Sequence, residues 1–140
     1  MIALAFTLLA GRYHATGWDH HVNEGTVEWP PSPWRVLRAL VAASYRLGPD
    51  LDRARLAAVL ERLTTPPVYF LPPTAPGHLR HYMPTEGDTT TKVFDAFLAV
   101  GHGAVDPPEL IVAWPELELA AADTARLAAA AAQIAYPGRA

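Results

Sequence analysis

The stretch EWPPSPWRVLRAL, residues 28–40, fixes the start of the first helix and organises the interpretation of the whole chain. Ser32 is a preferred N-cap residue, and Pro33 suits the first helical position. Apolar residues follow at helical spacing, so the pattern predicts a helix over residues 33–47. Gly48 comes next and is a common helix-stop residue. This segment therefore predicts a capped amphipathic helix.

Three arginines lie on one side of this predicted helix. At about 100° per residue, Arg35, Arg38 and Arg46 share a sector opposite the apolar side that includes Leu37 and Leu40. Exposed helix cations usually pair with an acid one turn away, but the helix contains no Asp or Glu. The first two arginines also stand near the positive end of the helix dipole. Backbone N–H groups there attract anions, so we predict a bound phosphate rather than a merely solvated helix face.

Composition limits the class of protein. The chain has 140 residues, is 51% hydrophobic and contains no cysteine, which excludes disulfides, thiolate metal sites and a cysteine nucleophile. The net charge of −3 argues against indiscriminate coating of nucleic acid, although it is compatible with a local basic face. The apolar start MIALAFTLLA lacks a basic region before it and is too short to span a bilayer. We therefore predict a cytoplasmic protein that does not bind membranes.

The rest of the chain reads as alternating strands and helices. The predicted elements are a strand at 2–9 buried on both faces, a loop at 11–31, a helix at 51–63 capped by Asp50, an edge strand at 68–71, an extended excursion at 72–92, strands at 93–100 and 109–115 paired as a hairpin, and a helix at 118–134. This predicts an α+β, ferredoxin-like fold of βαββα order, with an extra helix and an edge strand. The final strand of that fold is missing, which would leave the first strand with an unpaired edge. We expect residues 1–140 to form one domain from which 72–92 extend as a finger.

Residues near the first strand suit single-stranded nucleic acid. Aromatic side chains stack on splayed bases and arginines hold the backbone. Arg12, Tyr13 and His14 directly follow the strand, and Trp18 and Trp29 lie in the loop. The alternative for the tryptophans is burial, which we expect for Trp34. The chain contains neither a P-loop nor a GxGxxG pattern, so we predict no nucleotide cofactor.

The histidines raise the question of catalysis. His20 and His21 are adjacent and make a poor metal-binding pair, and His78 and His81 lie among Pro and Gly residues that disfavour a helix, so we predict no metal site. RNA cleavage through 2′-OH attack needs only a base and a cation near the phosphate. His14 or His81 would be the catalytic candidate. The residues that would assist are Arg80, Tyr82 and Lys92.

Several motifs together resemble a known family. They are GRYHAT, HVNEG, VEWPPSPWRVLRALVA, PPVYFLPP, GHLRHYMP, KVFDAFLAV and AYPGRA. The chain is similar to the N-terminal part of the fused crRNA-handling subunit of type I-U (I-G) CRISPR systems. In that family a fifth-family Cas domain precedes a sixth-family Cas endoribonuclease domain. The similarity runs along essentially the whole chain, and the WPPSPWR block is its most specific part.

The resemblance implies a RAMP-superfamily domain that binds the 5′ handle of the crRNA and caps the foot of the Cascade effector. Its partners would be the crRNA, the backbone subunits and the large subunit, with target DNA bound indirectly. Family members continue beyond the equivalent of the closing PGRA, so we expect this chain to be the first part of a longer fusion. The processing nuclease belongs mainly to the second domain. We therefore expect RNA binding here rather than catalysis.

Mapped onto this chain, the resemblance implies three groups of RNA contacts. Handle phosphates would meet Arg35 and Arg38, the loop would contribute Arg12, Tyr13 and His14, and the finger would contribute Arg80, His81, Tyr82 and Lys92. Two alternatives remain open. One is a metal-independent pre-crRNA endoribonuclease, and the other is a domain whose arginine face meets an acidic protein surface.

Overall fold

A computed structural model describes residues 1–21, 24–48, 51–84, 90–101 and 107–138. It contains six strands and three helices within those ranges. In chain order they are β1 (Ile2–Thr7), β2 (Arg12–Tyr13), α1 (Pro33–Ser44), α2 (Arg53–Arg62), β3 (Val68–Phe70), β4 (Thr74–Pro84), β5 (Thr90–Val100), β6 (Glu109–Trp114) and α3 (Ala121–Ala131). The strands form two small antiparallel sheets, so the expected α+β class is confirmed.

The contacts divide the chain into two compact units. The first comprises residues 1–6, 30–71 and 110–137, and the second comprises 7–29, 72–109 and 138–140. All three helices belong to the first unit. The second unit contains β2, β4 and β5, and it is larger than the finger expected at residues 72–92.

The first sheet has the strand order β1-β6-β3. Val68 pairs with Ala113 and Phe70 with Ile111, which makes β3 antiparallel to β6. The expectation that β3 is an edge strand is confirmed, and proline pairs on both sides of it prevent extension of the ladder. Trp114 is buried at the end of β6, and its Nε1 donates to the Thr65 carbonyl oxygen at 2.9 Å.

The prediction that β1 is a central strand buried on both faces is wrong. β1 lies at an edge of the described sheet, and its side chains alternate between core and solvent. Leu4 and Phe6 are buried, whereas Ala3 and Ala5 are exposed. Alanine is apolar enough to give a continuous hydrophobic run in the sequence but small enough to sit on an open sheet face, which hides the period-two pattern.

Helix α1 begins where the sequence predicts and ends earlier. The Ser32 side chain accepts a hydrogen bond from the Arg35 backbone N–H at 3.2 Å, and Pro33 occupies the first turn. The helix stops at Ser44 instead of 47, because the next N–H groups bond three residues back rather than four, as in Arg46 to the Ala43 carbonyl oxygen.

The buried face of α1 is centred on Leu40 and packs against α3. Val36, rather than Val41, is buried, because Val36 lies on the same side of the helix as the buried Leu40 and Ala43. Val41 is 44% exposed. The expectation that Trp34 packs in the core is also wrong. Trp34 lies about 120° around the helix from Leu40, which is at the centre of the buried face, and the Trp34 side chain is 56% exposed.

Helix α2 starts two residues later than predicted, and its cap is a different aspartate. Asp52 Oδ1 accepts the Arg55 N–H at 2.9 Å, which is the N-cap geometry expected for this residue type. Asp50, the cap predicted from the sequence, lies outside the described residues.

The second sheet has the order β2-β5-β4, and it overturns the predicted hairpin. β5 pairs with β4 along its whole length, from Thr74 opposite Val100 to Pro84 opposite Thr90, and not with β6. The excursion predicted at 72–92 is therefore largely regular strand. The sequence of this segment shows no hydrophobic period because most side chains of β4 are exposed, so the strand could not be predicted from periodicity. The Phe97 ring lies over Gly77, where a Cβ would come 2.6 Å from its Cζ.

The cap of α1 gives the first testable prediction. Replacing Ser32 with Ala removes the acceptor for the Arg35 N–H, and the expected loss in free energy of unfolding is about 1 kcal/mol. Urea denaturation followed by circular dichroism measures it. Ser32→Asp restores an acceptor of the same kind and should stay near wild type. Equal stability of the Ala and Asp variants would show that the cap contributes nothing.

Candidate nucleic-acid interface

Two arginines of α1 stand where the sequence predicts an anion. Arg35 occupies the first turn and is half-buried, and Arg38 follows on the exposed side. The first turn contains no acidic residue. No carboxylate or hydrogen-bond acceptor pairs with the Arg38 guanidinium among the residues that the structure describes. Arg38 is thus a solvent-facing positive charge in the second turn of α1, just beyond the acid-free first turn.

Arg46, the third arginine of the predicted face, has a structural contact of its own. Its Nη1 donates to the Gln133 carbonyl oxygen at 2.7 Å, just beyond the end of α3. Carbonyl groups in the last turn of a helix carry partial negative charge and favour a cation. Arg46 therefore links the ends of α1 and α3, and only the remaining N–H groups of its guanidinium are available to a ligand.

The three residues after the first strand have different roles in the fold. Arg12 is exposed on β2. Tyr13 is 0% exposed, and its ring centroid lies 5.0 Å from that of Trp29 at a tilt of 55°. A buried ring has no face for a base, so Tyr13 is a core residue and drops out of the contact set that the sequence suggested.

His14 is held by a carboxylate. Its Nε2 lies 2.6 Å from Asp95 Oδ1, and both side chains are 16% exposed. Residues 14 and 95 are brought together because Tyr13 pairs with Leu98 across β2 and β5. A carboxylate that orients an imidazole is a common arrangement for proton transfer, and it is equally a stable structural pair.

The β4–β5 hairpin carries the remaining predicted residues. Arg80 pairs in register with Phe94 and Tyr82 with Lys92. Arg80 is exposed and Tyr82 is 60% exposed. The imidazole of His78 stacks on Phe94 at 5.2 Å between ring centroids. The side chains of His81 and Lys92 lie outside the described part, so their predicted contacts stay predictions.

Sequence reasoning missed an ion network between α2 and α3. Arg55 Nε and Nη2 donate to the two carboxylate oxygens of Asp123 at 2.9 and 2.6 Å, and Arg126 adds a bond at 3.1 Å. The hydrogen bonds from Arg55 lower the pKa of Asp123, and the charge of Arg126 acts in the same direction. Only the i, i+3 spacing of Asp123 and Arg126 was visible in the sequence.

The histidine pair at 20 and 21 forms no metal site within the described residues. His20 Nδ1 lies 2.5 Å from Glu24 Oε2, and this hydrogen bond lowers the pKa of Glu24. No group of three histidine, aspartate or glutamate side chains within the described ranges has the geometry to hold a metal ion. Nor is any helix in those ranges long and apolar enough to cross a membrane.

Comparison with known protein families, with curated proteins and with solved structures finds no match to this chain.

The Asp123 network predicts how stability depends on pH. Because the folded-state pKa of Asp123 is lowered, its stabilising contribution is present above the unfolded pKa of about 3.9. The contribution is lost as the pH falls through the folded-state pKa. Asp123→Asn should reduce stability at pH 7 and flatten the acid limb of the stability curve. Urea midpoints between pH 7 and 2.5 measure this.

Glu61→Gln is the matched control, because it removes an exposed carboxylate from α2 without touching the network. Its acid limb should follow that of the wild type. An Asp123→Asn curve parallel to wild type at every pH would contradict the assigned role.

Proposed function

We propose that this chain is an RNA-binding domain that holds the 5′ handle of the guide RNA in a type I CRISPR effector, as its resemblance to the I-U/I-G crRNA-handling subunit implies. The observation that carries the proposal is Arg38, an exposed guanidinium beside the acid-free first turn of α1 with no partner among the described residues. A phosphate there would receive the guanidinium fork of Arg38 and lie beside the Trp34 backbone N–H. Pro33 has no N–H, and Ser32 caps that of Arg35.

The strand order supports a ferredoxin-like core. β1, α1 and β3 form a split β-α-β unit, with β6 inserted between the two strands and α3 following it. This order matches the 1-3-2 part of a ferredoxin-like sheet, in which a fourth strand would lie beside β1. In this proposal the sheet and helices of the first unit are the RAMP scaffold.

The hairpin supplies a second supporting observation. β4 and β5 each run for eleven residues and carry Arg80, Tyr82 and the His78–Phe94 stack on a largely exposed ribbon. In the proposed assembly this ribbon is the finger that touches guide RNA and the neighbouring backbone subunit. The large subunit would be a further protein partner, and target DNA would be contacted only through the complex.

The phosphate assignment predicts a salt effect. Arg38→Ala should lower affinity for handle RNA and reduce the slope of log K against log salt by about 0.7, the contribution of one phosphate on a single strand. The double variant with Arg35→Ala should lower the slope further. Fluorescence anisotropy with labelled handle RNA at several salt concentrations measures both.

Arg62→Ala removes the same charge from the exposed last turn of α2 and is the control. It should retain the wild-type slope. If Arg38→Ala and Arg62→Ala weaken binding equally, the effect is one of net charge and α1 has no phosphate site.

The second candidate function is metal-independent endoribonuclease activity, favoured by the His14–Asp95 pair at 2.6 Å. A carboxylate would hold the imidazole in one orientation while it takes the proton of a 2′-OH group. The 2′-oxygen attacks phosphorus and the P–O5′ bond breaks, so repeat RNA in EDTA should give a 2′,3′-cyclic phosphate and a 5′-OH end that takes up a proton from water. His14→Ala should then reduce the rate by about a hundredfold or more.

Intact RNA that is still shifted on a native gel would leave binding as the function. Cleavage that survives His14→Ala would exclude this histidine as the base and leave His81 as the other candidate.

A further inference from the structure

The exposed side of α1 carries more than arginine. Trp34, Arg38, Val41 and Tyr45 fall within about 60° of one another around the helix axis, and we call this set the aromatic stripe. Trp34 is 56% exposed and Tyr45 is 69% exposed. Exposed rings beside cations on one side of a helix are the groups with which proteins bind single-stranded nucleic acid.

The chemistry of the stripe alternates along the helix. Trp34 lies one turn from Arg38, and Tyr45 lies roughly 16 Å from Trp34 along the axis. At its far end, the Arg53 guanidinium carbon lies 5.2 Å from the Tyr45 ring centroid. That guanidinium covers part of the ring and adds a second positive charge beside it. Together with Arg53 of α2, the aromatic stripe therefore presents a ring, a cation, an aliphatic side chain, a ring and a second cation in that order.

This alternation fits a single-stranded polynucleotide better than a protein helix. A docking helix needs a continuous apolar stripe at i, i+3, i+4 and i+7, and Arg38 interrupts it here. A single strand presents flat bases and phosphates in alternation, and its unpaired bases stack on exposed rings while cations hold the backbone. In a duplex the base faces are stacked inside the double helix, so no base is available to stack on Trp34 or Tyr45.

We propose that Trp34 and Tyr45 are base-stacking residues that make the α1 surface specific for unpaired nucleotides. The inference rests on the proposed function, since it assumes that RNA phosphate reaches Arg38. It adds the residues that select a single strand over a duplex. Arg38 binds the backbone between the two stacked bases, and the Arg53 charge lies beside the second.

The experiment separates bases from phosphates. Affinity of the full chain is measured for handle RNA, for the same strand with abasic positions, and for the strand annealed to its complement. Trp34→Leu and Tyr45→Leu should each weaken binding of the intact single strand about tenfold. They should leave binding of the abasic strand unchanged within twofold. Trp34→Phe, which keeps a flat ring, should recover most of the loss.

Phe70→Leu is the matched control, because Phe70 is an aromatic residue of similar exposure, 59%, on β3 and outside the stripe. It should bind all three RNAs like the wild type. Circular dichroism of each variant checks that the fold is retained.

The outcomes distinguish the two proposals. The stacking inference fails if Trp34→Leu weakens binding of the intact and abasic strands equally, or weakens binding of neither. If Arg38→Ala still lowers the salt slope in that case, the phosphate site stands. If the wild-type chain binds none of the three RNAs, or if Arg38→Ala changes neither the affinity nor the salt slope, the proposed function fails as well. Unchanged RNA affinity with lost binding to a protein subunit overturns the inference and makes the stripe a protein-docking surface.

Discussion

The proposed RNA-binding function depends on one positive charge, that of the exposed Arg38 side chain on α1. Helix α1 contains no Asp or Glu, so no acidic side chain one turn away offsets the charge of Arg38. Arg55 and Arg46 of the first unit are paired within the fold, to Asp123 and to the Gln133 carbonyl oxygen. Arg62 is exposed in the last turn of α2, where the helix dipole favours a cation. Arg38 has no such contact in the part of the chain that the structure describes. In the proposed function, a phosphate is the partner of Arg38.

The scaffold explains why that charge is held in a fixed place. Ser32 and Pro33 set the first turn, and the Leu40 face anchors the helix against α3. Asp123 then ties α3 to α2 through Arg55 and Arg126. Because the buried face is fixed, the opposite side of α1 presents Trp34, Arg38 and Tyr45 in a constant order. A rigid helix is a more precise support for a ligand than a loop.

Local chemistry made the start of α1 and several strands predictable, whereas the starts of α2 and α3 came two and three residues later than predicted and the strand pairing was not predictable. Ser32-Pro33 specify a cap within four residues, so the start of α1 is correct. β5 was paired with the wrong strand, because short apolar strands are chemically alike and their register is decided by contacts distant in sequence. Arg55 and Asp123 are separated by 68 residues, which no spacing rule connects. Trp34 is exposed and Tyr13 is buried, the reverse of what we expected, because burial also depends on contacts that are distant in sequence.

The most direct test is photocrosslinking of the assembled ribonucleoprotein with guide RNA that carries 4-thiouridine throughout its 5′ handle, followed by mass spectrometry of the digested protein. The account predicts crosslinked peptides from residues 33–46, with the modified nucleotide on Trp34 or Tyr45. Crosslinks that fall entirely outside α1, in a particle that retains its RNA, would contradict it.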